Sequence, residues 1–213
     1  MKLSLWSGVA VAMQSVTGTA IAIQTISKAN PGVVGATSHG LANGDYVLIG
    51  DVQGMTQVNN RVFRVTGSTA GTFNLEGEDT TLYDTFVSGN AYKITFGTSF
   101  STLLDISTSG GEASSISSTT IHDKVGTSIP GITSATEYSS NSVWDVSDAA
   151  LIAAKKASDA KSQRAFMFTF SNGQRYLING YVSCTLTPAG TAQEKVTTSL
   201  KITASGAPTT YAT

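Results

Sequence analysis

Residues 144–164 read W-D-V-S-D-A-A-L-I-A-A-K-K-A-S-D-A-K-S-Q-R, and no other stretch of the chain carries a comparable helical signature. Asp145 and Ser147 are both N-cap candidates, because their side-chain oxygens accept from the free amides of a first turn. Asp148 places negative charge at the positive end of the helix dipole, and Lys161 and Arg164 place positive charge near the other end. Ala150, Leu151, Ala154 and Ala157 share one face at helical spacing, while Lys155, Lys156 and Asp159 fall largely elsewhere. The pattern predicts a helix over about 146–163. Its apolar stripe is thin, which predicts a helix lying on a sheet with one side wet.

Outward from the helix, the chain reads as strand and turn. Ala165 to Phe170 is a strong strand, and Ser171-Asn172-Gly173-Gln174 is a tight hairpin turn with a glycine available for positive φ. Tyr176 to Leu186 returns antiparallel, Pro188 to Gly190 is a loop, and Val196 to Ala204 is the last strand. The tail A-S-G-A-P-T-T-Y-A-T is expected to fray in an isolated copy. On the other side of the helix, Thr133 to Val143 is a strand preceded by a loop with Pro130-Gly131 as its pivot. Phe96 to Ser107 alternates apolar and polar, Ser109-Gly110-Gly111 is a turn, and Ala113 to Ile121 is a strand rich in Ser and Thr. These two strands are expected to form a long hairpin. Residues 3–26 read as one or two strands, starting at L-S-L-W, with Thr17-Gly18 as a possible turn.

Residues 27–94 read as a separate small all-β unit. Asn30-Pro31-Gly32 opens it with a turn signal, and Val33-Val34 starts a strand. His39 to Asp45 is a loop, and Tyr46 to Ile49 is a short apolar strand. Asn59-Asn60 turns the chain into Val62 to Val65, and Gly71 precedes a strand over 72–75. Gly89-Asn90 closes the unit before Tyr92-Lys93-Ile94. Short strands separated by Gly and Asn at this spacing indicate a small barrel or sandwich. The run A-N-P-G-V-V, H-G-L-A-N-G-D-Y-V, G-M-T-Q-V-N-N-R-V-F-R-V and T-F-N-L-E-G resembles a small β module that recurs in phage virion proteins.

Composition narrows the function. The chain has 213 residues, 40% of them hydrophobic and only 13% charged, with a formal net charge of −1. That is enough apolar material for a real core, and the scarcity of charge suits sheets that face other protein. A protein that grips nucleic acid through phosphates carries a basic patch. The densest basic group here, Lys155, Lys156, Lys161 and Arg164, lies beside Asp148 and Asp159 and reads as a solvated helix face. One cysteine, Cys184, allows no intrachain disulfide and sits in a strand-like run as a small core residue. With only two histidines, His39 and His122, a structural zinc site is not expected. Lys2, the apolar residues after it and Ala10-Val11-Ala12 faintly mimic a signal peptide, but Ser4, Ser7 and Gly8 interrupt the apolar run. No run is long enough to span a membrane.

The segment from Gly110 to Gly206 resembles the major tail tube protein of long non-contractile-tailed (siphovirus) phages. S-S-I-S-S-T-T-I-H-D-K, S-I-P-G-I, W-D-V-S-D, F-T-F-S-N-G-Q-R-Y-L-I-N-G-Y-V and S-L-K-I-T-A-S-G carry the resemblance, in that order. It implies a tail-tube-type β-sandwich or barrel with one flanking helix, formed by residues 1–26 and 95–213, with 27–94 as an inserted module on the outer face. It further implies hexameric rings stacked into a hollow tube through which double-stranded DNA leaves the capsid, transiently and without specific binding. The implied setting is the phage tail, with the protein made in the host bacterial cytoplasm and meeting tail terminator, tape measure and distal tail proteins. No cofactor, metal or membrane anchor is implied. The long hairpin and its loops would join rings, through Ser109, Gly110, Gly111, His122, Asp123, Pro130 and Gly131.

A conduit should let DNA slide. A lysine-rich lumen would hold phosphates, whereas neutral Ser/Thr strands with a few carboxylates would not. Asp105, Glu112, Ser115 and Ser117 are the expected lumen-facing residues; the two carboxylates would equally serve as bridges to a neighbouring subunit. No G-x-S-x-G, P-loop or H-E-x-x-H motif is present, so the chain is not read as an enzyme. His122-Asp123 reads as a surface or interface pair. Glu76, Glu78, Asp79 and Asp84 lack the Asp-x-Asp-x-Asp-Gly calcium pattern and read as a solvated loop. Trp6 and Trp144 could be sugar platforms, with Trp144 better placed in the core. The competing function is a β-rich surface adhesin or carbohydrate-binding module.

Overall fold

The computed structural model describes residues 6–212. The first part of the expected L-S-L-W strand therefore lies outside the described residues. The elements are β1 (Ala10–Ile23), β2 (Thr25–Ile26), β3 (Val33–Gly35), β4 (Tyr46–Gln53), β5 (Arg61–Thr66), β6 (Thr72–Leu75) and β7 (Ser88–Phe100). Then come β8 (Ser107–Ser109), β9 (Ala113–Ser117), β10 (Ser128–Thr133), β11 (Glu137–Val143) and α1 (Ala149–Asp159). The chain closes with β12 (Gln163–Thr169), β13 (Arg175–Cys184), β14 (Thr197–Ala204) and β15 (Thr209–Tyr211). All pairings are antiparallel. The fold is mainly β with one helix, as expected.

One large sheet runs β2-β3-β6-β5-β4-β7-β1-β12-β13-β14-β11-β8, with β15 added to β13. Its two halves enclose separate cores. In the first, Val47, Ile49, Phe63, Phe73 and Leu75 pack with Ile23 and Ile26. In the second, α1 lays Ala150, Leu151 and Ala154 on Phe166, Phe168, Ile178, Val182 and Leu200. A third cluster joins them, where Val62 and Ile94 meet Ala165, Leu177 and Tyr211.

The helix buries the four residues that periodicity assigns to its inner face. It is shorter than 146–163, and its cap is neither Asp145 nor Ser147. Asp148 is the cap, accepting from the amides of Ala150 at 2.7 Å and Leu151 at 3.4 Å. Asp145 instead accepts from the amide and hydroxyl of Ser147 in the turn before it. At the far end Lys161 takes a positive φ of 48°, which ends helical geometry before Arg164.

Several strand boundaries also move. Thr17-Gly18 is not a turn: β1 runs through it, with register shifts between Thr17 and Ala20. Gly89-Asn90 does not end a unit, because β7 pairs with β1 from Gly89 to Phe100. The division at 94/95 thus falls inside a strand that serves both cores. The described part of the tail is packed against the body. Tyr211 is 7% exposed, its hydroxyl accepts from the Arg64 amide at 2.8 Å, and Thr209 donates to the Val62 carbonyl.

The expected long hairpin is replaced by a different pairing. β8 pairs with β11, and β9 pairs with β10 as a separate two-stranded ribbon. Gly110 and Gly111 both take positive φ, near 80°, which swings the chain out of the sheet between β8 and β9. A Cβ on Gly110 would lie 2.3 Å from the Ala135 carbonyl oxygen, so the two legs of the ribbon leave the body side by side.

Candidate functional site

Strict alternation along β11, β14 and the second half of β13 gives the sheet two unlike faces. Tyr138, Ser140 and Ser142, Thr198, Leu200 and Ile202, and Val182 and Cys184 are buried. The residues between them point the other way. Register aligns Ser183, Lys201, Ser139 and Ser107 in one cross-strand row. The next row is Tyr181, Thr203, Glu137 and Ser109, and Ser199 faces Asn141 beyond.

This face is polar and nearly uncharged. Its lysine is neutralised, since Lys201 Nζ lies 2.8 Å from a Glu137 carboxylate oxygen. The face ends at β8, whose outer edge has no strand partner among the described residues. An open edge of this kind is a template for pairing with another chain.

Asp105 and Ser107 belong to this surface. The Asp105 carboxylate accepts from the amide of Asn141 at 2.7 Å and from its side-chain amide at 2.9 Å. Past β8 the edge of β11 is held by residues 102–104, with Leu103 bridged to Ser142 and the Leu104 amide donating to the Asn141 carbonyl, and the Asp105 carboxylate fastens the same stretch. Glu112, Ser115 and Ser117 lie elsewhere, at the root and along the first leg of the β9–β10 ribbon, and every residue of β9 is exposed. Ser109, Gly110 and Gly111 form the departure point of that ribbon.

His122 and Asp123 sit at its tip but do not pair with each other. Asp123 accepts from the amide and hydroxyl of Thr120, and these bonds hold its carboxyl below the usual value. Pro130-Gly131 is not a loop pivot; it lies inside β10, opposite Ser115. The Ser118 amide donates to the Thr127 carbonyl. Alternation from that pair turns the Pro130 nitrogen away from β9, where a missing donor costs the ribbon nothing. A Cβ on Gly131 would meet the Ser114 hydroxyl at 2.5 Å.

The ribbon is apolar at intervals. Ile116 and Ile129 are cross-strand partners, each about half exposed, and Ile132 is 88% exposed. A lone two-stranded ribbon is at best marginal in water. Beside its root an aromatic cavity of about 340 Å³ opens among Tyr138, Phe168, Phe170, Tyr176 and Trp6. Trp6 lies against Phe170 with the rings tilted by 56° and centroids 5.6 Å apart.

The remaining candidates are structural. Glu76 pairs with Arg64, and Glu78 with Arg61 and Tyr83. Asp79 accepts from Thr81 and Asp84 from Gln57. Glu76 and Glu78 are thus held in part-buried ion pairs, Asp79 and Asp84 stay exposed as a solvated loop would have them, and no group of metal-ligating side chains occurs among the described residues. Trp144 is partly buried and donates to the Leu186 carbonyl at 2.8 Å. Lys155 pairs with Asp159 on the outer face of α1. No helix among the described residues is long and apolar enough to cross a membrane.

Sequence reading misses Ser139, Asn141, Ser183, Ser199 and Lys201. Their signal is period-two alternation of small polar residues in 137–143 and 197–203. A family model described as phage tail tube protein, TTP, matches residues 53–213. No curated protein matches the chain.

Proposed function

The chain belongs to the phage tail tube protein family, a structural component of the virion tail, and from that membership we propose that its copies close into hexameric rings whose lumen conducts DNA from capsid to host. The observation that carries this reading is the neutral polar face of β13, β14, β11 and β8. Four strands from each of six copies would give a barrel of about 24 strands, far wider than side chains can plug. Serine, threonine and asparagine give the DNA backbone little to hold, and the Lys201–Glu137 pair removes the one cation that would attract phosphate.

Ring closure pairs the open edge at β8 with a neighbour. The β9–β10 ribbon, with Ser109, Gly110, Gly111 and Pro130-Gly131, reaches the next ring and gains there the partners it lacks alone. Asp105 stays at the border of the lumen face, and Glu112, Ser115 and Ser117 come to the rim with the ribbon. Strands β4 and β7, which carry the 27–94 module, are far along the sheet from β11 and β8. The module then stands on the outer wall of a siphovirus tail. Terminator, tape measure and distal tail proteins meet the two ends and the bore.

Negative-stain microscopy of the purified chain tests this directly. Rings or tubes with a central hole are expected, and a monodisperse monomer at high concentration would refute the reading. Ser139→Lys with Ser199→Lys tests the lumen. Tubes should still form but pass DNA more slowly, with the defect relieved by salt. Unaltered delivery places the lumen on another surface.

A further inference from the structure

We infer that the tip of the β9–β10 ribbon of one copy seats in the aromatic cavity at the root of the same ribbon in the next copy. The inference rests on the reading above only in taking the copies to assemble. The cavity presents rings with few polar demands, because the hydroxyls of Tyr138 and Tyr176 bond to each other. Trp6 on its wall is 60% exposed. An uncovered aromatic hollow and a bare apolar knob on one soluble chain are both features that call for a cover.

The knob is at the tip. Ile121 is 96% exposed and Val125 75%, on either side of the turn that Asp123 fastens through Thr120. Between them, Asp123 and Lys124 cancel in charge, so the tip carries no net charge toward an uncharged cavity. The hollow lies at the opposite end of the ribbon: Thr108 and Thr136 on its lining flank Gly110 and Ser134, where the legs depart.

A strand advances about 3.3 Å per residue, so the leg from Glu112 to the end of β9 at Ser117 covers ~17 Å, and Ile121 lies farther out at the turn. A copy therefore cannot fill its own cavity. Knob and hollow at opposite ends of one arm make a heterologous contact, which runs from copy to copy and extends as an open line wherever the rotation between copies does not close a ring. The arm's length then sets the spacing between successive copies along that line, which is the behaviour a stack of rings requires.

The test is covalent capture in the full chain. Ile121→Cys and Thr108→Cys are introduced together, with Cys184 left buried as it is. The chain is assembled, oxidised and run under denaturing, non-reducing conditions. A ladder extending beyond dimer is expected from the double variant, whereas each single variant gives at most dimers. Tubes without a ladder would overturn the inference while leaving the tube reading intact. Absence of tubes from the unaltered chain would remove both. Ile121→Asp provides a second readout, since nothing in the isolated copy covers that side chain. Its circular dichroism should be unchanged while the concentration needed for assembly rises about tenfold; equal assembly would again overturn the inference.

Discussion

At the scale of single residues, Asp148 links the helix to the sheet. Its carboxylate closes the first turn of α1 and also accepts from the Thr102 hydroxyl at 3.0 Å. Asp148→Ala should lower unfolding stability by about 1 kcal/mol, read as a shift in the urea midpoint. Asp145→Ala should do much less, because that exposed carboxylate fastens only a local turn; equal losses would mean the cap is misassigned. Sequence alone could not separate the two aspartates. Both stand before an apolar run, and only the observed φ and ψ decide which is the last residue outside the helix. Tyr211 makes a different prediction. Burial pushes its phenol up to about 12 from an ordinary 10.0. The folded chain keeps a proton that the unfolded chain releases, so this contribution is whole below pH 10.0 and is lost as pH rises toward 12. Burial moves Tyr138 and Tyr176 the same way. Tyr211→Phe should therefore lose stability less steeply than the parent chain in alkaline urea titrations. Parallel curves would show that the phenol ionises alike in both states.

At the scale of elements, the ribbon has two unequal edges. Pro130 removes an outward donor from β10 and blunts it, whereas β9 presents an unbroken outer edge. Ser115 stands opposite Pro130, so its amide also points outward, toward whatever strand is added. Ser115→Pro should thus leave the ribbon's internal bonds intact and the isolated copy folded, yet block growth on that edge. Sedimentation of assembled material should fall sharply, and tubes at the parent yield would exclude β9 as the docking edge. This ribbon was also the least legible element. Phe96–Ser107 and Ala113–Ile121 both read as strands separated by a glycine turn, and local pattern pairs such neighbours by default. The two glycines lead out of the sheet instead, and β8 finds its partner in β11, well beyond the ribbon. By contrast, the hairpin of β12 and β13 is plain, because a short turn joins two strongly apolar strands. The polar face lay between these cases. Asp105 is legible as a polar position of the alternating run Phe96–Ser107, but β11 and β14 carry the same alternation, and only register shows that their small polar residues stand in common rows.

At the scale of the molecule, two cores are coupled through a narrow seam. The first core is built from β2 to β6 with one end each of β1 and β7, and the second from α1 and β11 to β14 with the other ends of β1 and β7. Besides the shared β1 and β7, Val62, Ile94, Ala165, Leu177 and Tyr211 connect them. The C-terminal segment fastens this seam from outside: Arg61 donates to the Ala207 carbonyl at 3.2 Å, and Gly206 comes so near Asn60 that a Cβ would lie 2.6 Å from its carbonyl oxygen. Excising 28–93 would strip this cover from Ala165 and Leu177, so that deletion tests folding as much as assembly. A single substitution separates the two effects. Tyr211→Ala should cost about 3 kcal/mol through the lost ring, and it should also loosen one core from the other. Both tryptophans report on the second core, Trp6 through Phe170 and Trp144 through Leu186. Urea transitions by tryptophan fluorescence and far-ultraviolet circular dichroism should coincide in the parent chain and separate in Tyr211→Ala. A lower midpoint with coincident probes would mean that β1 and β7 alone transmit unfolding between the cores. The seam would then add stability without making the two halves one cooperative unit.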